Sequence, residues 1–178
     1  SDNYAFIITN SDNKKSILVD APEPEALKHF IHSHDLTLEY ILLTHHHDDH
    51  IQGVPDLVKN YNCKVVGAMD DEHRLPKLDI HVKGNDQVEI LNLAFKIFDV
   101  PGHTIGHIAF YFPGSKVASD RPAASGCCLH ARPTGSHSAR CCVASWSRPE
   151  TACTVTTAWG APRAVQAAPC PRCPCSSG

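Results

Sequence analysis

The segment "LLTHHHDDH", Leu42 to His50, places four histidines and two aspartates directly behind the apolar run Tyr40 to Leu43. Neutral imidazole nitrogens and carboxylate oxygens are the donors that Zn²⁺, Fe²⁺ and Mn²⁺ accept. His45, His47 and Asp49 alternate and His50 is adjacent, so a loop leaving a strand here can turn their side chains toward one point. A single ion needs a further donor from elsewhere in the chain. "PGHTIGH", Pro101 to His107, supplies it, because a Pro-Gly turn after Val100 projects His103. His107 is expected to hydrogen-bond behind the ligands rather than to join them. His46 and Asp48 fall out of phase and are expected to support the loop or to face solvent. Histidine runs also occur as tags and solvated loops. This one is internal, follows an apolar strand, is interleaved with aspartates and has a Gly-flanked histidine downstream, which favours ligation. His29, His32 and His34 lack that rhythm and are expected at the surface.

The elements that must carry these residues read as alternating strands and helices. Tyr4 to Thr9 and Ser16 to Val19 are β-rich runs separated by a polar turn, a hairpin pattern. "PEPEALKHFIHSHD" predicts a helix with Leu27, Phe30 and Ile31 on one face and Glu23 and Glu25 at its positive end. Tyr40 to Leu43 predicts a strand covered on both faces. A second helix is expected over about Val54 to Asn60, with Leu57 and Val58 inward. Strands are expected at Lys64 to Gly67, Ile80 to Lys83, Gln87 to Leu91, Ala94 to Val100 and His107 to Phe112, with "LNLA" as a tight connection. The order predicts an α/β protein whose chemistry lies in loops beyond strand ends.

The chain has 178 residues and a formal net charge of −3. That balance gives no reason to expect nucleic acid or an acidic membrane as partner. No apolar run approaches the roughly 18 residues of a membrane span, and no signal peptide is expected. These features predict a soluble, cytoplasmic protein. Ser1 is not an initiator methionine, so the natural N-terminus is expected upstream.

Composition changes near Val117. Lys, Ile, Asn, Phe and Tyr are frequent before it and absent from residues 118–178, which hold every cysteine except Cys63 and only Asp120 and Glu150 as acids. The five missing types use mostly A/T-rich codons, so their joint loss points to a changed reading frame or an unrelated fused segment. With few large apolar residues, the 118–178 tail is expected to be disordered or out-of-frame. Cys127, Cys128, Cys141, Cys142, Cys170, Cys173 and Cys175 lack the paired spacing of a zinc module. The arginines of the tail lack the aromatic or helical pattern of a nucleic-acid site.

"THHHDDH" at Thr44 to His50 resembles the HxHxDH motif of the metallo-β-lactamase superfamily, and "PGHTIGH" resembles its second metal motif. Together with "SDNYAFIITN", "ILVD" and "VPGHTIGHIAFYF", they are most similar to glyoxalase II, the hydroxyacylglutathione hydrolases, over residues 1–117. The resemblance implies a four-layer αββα fold of which the N-terminal half is recognisable and the second half is missing or replaced. It implies one or two Zn²⁺ ions, with Fe²⁺ or Mn²⁺ as alternatives. His45, His47 and His103 would hold the first ion, and Asp49 and His50 would contribute to the second. The implied reaction is hydrolysis of a glutathione thioester of the S-lactoylglutathione type, in methylglyoxal detoxification. Asp49 would orient the attacking water and accept its proton.

The sequence departs from that family after Val117. The Gly-Asp-Thr motif whose aspartate bridges both metals is replaced by "ASDRPAASGCC", in which Asp120 is shifted. His130 and His137 stand in unrelated contexts, and no counterpart of the helical glutathione-binding domain is expected. Two readings follow. One is a metal-dependent thioester hydrolase. The other is a truncated or frame-altered, catalytically inert metal-binding chain; a sister enzyme such as a persulfide dioxygenase shares the first metal triad.

Overall fold

The computed structural model describes residues 4–10, 12–112, 117–119, 140–146 and 154–157. Strands β1 (Tyr4–Asn10) and β2 (Lys15–Val19) form the expected antiparallel hairpin, with Phe6 opposite Val19. Helix α1 (Pro24–Ser33) follows, started by Pro24 in its first turn, where a missing N–H costs nothing. Its buried face is Leu27, Phe30 and Ile31. Strand β3 (Thr37–Leu42) returns parallel to β2, with a bulge at Glu39 that puts Leu38 opposite Ser16 and Tyr40 opposite Ile17. After it come the short helix α2 (Asp48–Ile51), α3 (Val54–Tyr61), β4 (Lys64–Ala68), a 3₁₀ turn (Met69–Asp71) and β5 (Ile80–Val82). β6 (Gln87–Ile90), β7 (Leu93–Asp99), β8 (Ile108–Phe112) and β9 (Val117–Ser119) form an antiparallel sheet in chain order.

Where β6 turns into β7, Leu91 and Asn92 both have positive φ, 55° and 62°. Two consecutive left-handed residues match the twist of a two-residue hairpin, as the tight-connection reading requires.

The larger sheet has the order β11-β10-β1-β2-β3-β4-β5, where β10 is Arg140–Trp146 and β11 is Thr154–Thr157. β10 runs parallel to β1 and antiparallel to β11. These two short strands, with Ala118 and Ser119 of β9, are the described parts of the 118–178 segment; Asp120, His130, His137, Cys127, Cys128, Cys170, Cys173 and Cys175 lie outside the described residues.

Two apolar layers explain why the central strands are hydrophobic throughout. Ile41 and Leu43 face α1 and α3, in a core with Ile7, Leu18, Leu27, Ile31, Leu57 and Val65. Leu42 faces the other way, with Ile8, Ile17, Val19 and Val66, against Phe95, Ile97, Phe110 and Phe112 of the smaller sheet. Each fully buried side chain of this size contributes roughly 1.5–3 kcal/mol. The result is helices on sheet on sheet, three layers among the described residues. On the outer face of the smaller sheet, Phe98 is 44% exposed beside Tyr111. Among the described residues no helix is long and apolar enough to cross a membrane.

Parallel register sets the position of the site. Val19 pairs with Leu42, and Leu42 with Val66, so β2, β3 and β4 end at one edge of the sheet. Asp20, Thr44 with His45, and the turn containing Asp71 therefore leave from the same edge, the usual place for ligands in parallel sheets. α2 is fastened there by main-chain bonds from Ala21 N to His50 O (2.7 Å) and from Gly53 N to Ala21 O (2.9 Å). Gly53 is buried, and a Cβ on it would lie 2.8 Å from the Ala21 carbonyl oxygen that its own N–H holds. Gly53→Ala is expected to cost about 1–3 kcal/mol through this overlap. Urea unfolding of the variant measures it, and an unchanged midpoint would show that the contact relaxes freely.

Candidate metal centre

His45 follows β3 directly and is 3% exposed. Its surroundings fix which ring nitrogen carries the proton. Asp20 closes β2 in a left-handed conformation, φ 59°, and is itself buried. Its carboxylate accepts the Thr44 N–H (2.9 Å) and the Thr44 hydroxyl (2.8 Å). With its hydrogen committed to Asp20, the Thr44 Oγ1 can only accept from His45 Nδ1, 3.0 Å away. That leaves the Nε2 lone pair of His45 facing away from this chain of bonds, and Nε2 is buried with no hydrogen-bond partner among the described residues. An orphaned, buried imidazole lone pair is expensive unless something electropositive meets it.

Two further imidazoles converge on the same place. One ligand atom from each of His45, His47 and His103 lies within 4.8 Å of the others. The ring centroids of His45 and His103 are 4.9 Å apart, and those of His47 and His103 are 4.6 Å apart. The loop that brings His103 in is anchored by Val100 N to His107 O (2.9 Å) and joined to the first loop by Ile108 N to Thr44 O (3.0 Å). The cluster is thus assembled by backbone bonds between the two sheets. Three neutral imidazoles form a donor set able to hold a divalent metal ion with a coordination position left open.

The strand-like alternation ends at His47. Asp48 and Asp49 begin α2, where acidic side chains suit a helix N-terminus. Asp48 is exposed, and Asp49 is half-buried and close enough to His47 to oppose the depression of its pKa. His50 is buried on α2, with its ring 4.1 Å from that of His45 and Nδ1 2.8 Å from Asp20 Oδ2. The His107 ring lies 4.6 Å from that of His45, behind it and buried. His46 turns away from the cluster to Asp71, a support of the loop. His29, His32 and His34 are exposed on or after α1.

Sequence reasoning missed Asp20, Thr44 and Asp71. Asp20 left one faint signal, an acid closing the otherwise apolar run Ile17 to Val19; Asp71, one of three consecutive acids, left none.

Burial pushes the pKa of His45 down to about 3, helped by the neighbouring imidazoles of His50, His107, His47 and His103. His47 is lowered for the same kind of reason, desolvation first and then His103. Depression of a histidine below its unfolded value near 6.5 means that the unfolded chain binds a proton the folded chain refuses as pH falls. No stability is lost above pH 6.5, and loss accumulates between there and about 3. The metal-free chain is expected to lose about 2 kcal/mol through His45 by pH 5. Urea unfolding at pH 7 and pH 5 measures this, with His45→Gln as the reference that lacks the effect. Equal losses in the two proteins would remove burial of His45 as the cause.

Comparison with known proteins follows the same pattern. A family model described as the metallo-beta-lactamase superfamily matches residues 2–119. A hydroxyacylglutathione hydrolase of Fuscovulum blasticum is 45% identical over 128 residues, 71% of this chain and 50% of that protein. One of Ruegeria pomeroyi is 41% identical over 129 residues, 71% of this chain and 51% of that protein. The chain therefore spans about half the length of the curated relatives it matches. Among solved structures, the BLEG-1 B3 metallo-beta-lactamase aligns with a TM-score of 0.55 at 24% identity, covering 60% of each chain. ETHE1 from Myxococcus xanthus aligns with a TM-score of 0.52 at 26% identity, covering 61% of this chain and 48% of its own. A histidine cluster at the shared edge of two sheets, in a chain matched by one family model over most of its described length, leads to one assignment: this chain belongs to the metallo-β-lactamase superfamily.

Proposed function

We propose that this chain carries the metal-binding half of a thioester hydrolase of the hydroxyacylglutathione hydrolase type, with residues 1–117 as its catalytic domain. The observation that carries the reading is the buried Nε2 of His45, without a hydrogen-bond partner among the described residues and set beside His47 and His103. The names of the relatives favour this hydrolase over a persulfide dioxygenase. His45, His47 and His103 would hold a first Zn²⁺, and Asp49 and His50 would contribute to a second. When bound, zinc supplies Lewis acidity, lowering the pKa of a water to about 7 and polarising a carbonyl.

The substrate is a small thioester, with S-lactoylglutathione as its type. Asp49, in the first turn of α2, orients the attacking water and accepts its proton as the oxygen adds to the thioester carbon. The carbon–sulfur bond then breaks and the thiolate leaves; a thiol pKa of about 8.5 means that it needs little protonation to do so. Asp20 and Thr44 keep His45 in one tautomer throughout.

A second reading, in which the chain binds metal without turnover, rests on the stretch "ASDRPAASGCC" that stands after Val117 in place of the family's Gly-Asp-Thr motif. Metal analysis of the full chain after zinc loading, with S-lactoylglutathione hydrolysis at neutral pH, separates the two. Bound zinc with hydrolysis supports the enzyme, bound zinc without hydrolysis supports the inert chain, and absence of bound zinc overturns both.

A further inference from the structure

We propose that Asp71 is a positioning residue that sets the spacing between the two histidine-bearing loops before any metal arrives. The inference rests on the metal reading above and adds a residue outside the ligand set. Asp71 lies in the 3₁₀ turn after β4 and is 0% exposed. A carboxylate so buried persists only when its oxygens are partnered, and each oxygen has its own partner. Oδ2 accepts from His46 Nδ1 at 3.0 Å, and Oδ1 accepts from Arg74 Nε at 2.6 Å.

His46 stands between the two ligand candidates His45 and His47, so fixing its ring fixes the backbone that aims both. The same carboxylate meets the other loop. A Cβ on Gly106, which stands between His103 and His107, would lie 2.5 Å from Asp71 Cγ and 2.6 Å from its Cβ. The second loop therefore rests directly on the Asp71 side chain, with no space for anything larger than glycine. Arg74 holds that side chain from behind. One buried group thus touches both loops, and neither contact requires an ion.

The test uses the full chain and three readouts: Zn²⁺ affinity, the visible spectrum of the Co²⁺-substituted protein, and ring-nitrogen NMR of the metal-free protein. His46→Ala removes the tether at a half-buried position and is expected to weaken Zn²⁺ about tenfold, as loss of a supporting hydrogen bond does elsewhere, and to alter the Co²⁺ spectrum. His46→Asn, whose amide can still donate to Asp71, is expected to restore both. Asp71→Asn is expected to match His46→Ala, and the double variant to be no weaker than Asp71→Asn alone. Wild-type affinity and spectrum in His46→Ala, or failure of His46→Asn to rescue, overturns the proposal even where Asp71→Asn does not fold. The metal-free spectrum separates this from the metal reading. A His46 Nδ1–H resonance that disappears in Asp71→Asn upholds the tether even in a chain that fails to bind zinc, and its absence from the wild-type chain overturns the tether.

Discussion

His103→Ala is expected to abolish tight zinc binding while leaving the metal-free fold intact. His103 is exposed and reaches the cluster from the Pro101–Gly102 turn, whose shape is held by main-chain bonds that the substitution leaves in place. Replacement of an exposed side chain away from the core changes stability by only about 0.5 kcal/mol. Its effect on metal is of another order. His45 and His47 come from one loop and supply two donors; the third donor from the other loop closes the set. Loss of a residue that merely supports a ligand costs 10–100-fold in affinity, so loss of the ligand itself is expected to exceed about 100-fold. Equilibrium dialysis against zinc with a competing chelator gives the number, and urea unfolding of the metal-free protein gives the control. An affinity within a few-fold of wild type would remove His103 from the site and with it the proposed function.

The parts of this site that were legible in the sequence are those whose signal is local. His45, His47 and His103 are recognisable because their residue types, the apolar strand before them and the Pro-Gly turn all lie within a few positions. The strands were readable because burial against helices on one side and a second sheet on the other leaves continuous apolar runs, as at Ile41 to Leu43. α2 leaves no helical signal in the sequence, because four residues are too few to display a helical period, which needs a window of roughly 11. Asp20 and Asp71 were missed for a different reason. Their partners are Thr44, twenty-four residues on, and His46, twenty-five residues back, and only the parallel register of β2, β3 and β4 brings those positions to one edge. The glycines behave likewise: Gly53 and Gly106 are required by what lies against them, Ala21 and Asp71, and not by their own backbone angles.

Asp20 is where removing one side chain is expected to cost the fold most. Asp20→Ala strips the acceptor from three buried donors at once: the Thr44 N–H, the Thr44 hydroxyl and His50 Nδ1. Each buried donor left unpaired costs about 1–3 kcal/mol, and because the three share one site the total is expected near 3–5 kcal/mol. Alanine is also poorly suited to the left-handed backbone that Asp20 adopts. Asp20→Asn separates stability from ligand orientation. Asparagine tolerates that backbone and its amide oxygen can still accept the Thr44 N–H, so a smaller loss of about 1–2 kcal/mol is expected. Its NH₂ group, however, cannot accept from the Thr44 hydroxyl or from His50 at the position of Oδ2. With that acceptor gone, the Thr44 hydroxyl is free to donate toward His45 Nδ1, and the tautomer that presents Nε2 is no longer enforced. Zinc affinity is expected to fall 10–100-fold in Asp20→Asn, out of proportion to its stability. If Asp20→Asn binds zinc as wild type does while Asp20→Ala unfolds, Asp20 serves the fold alone, and the orientation of His45 has another source.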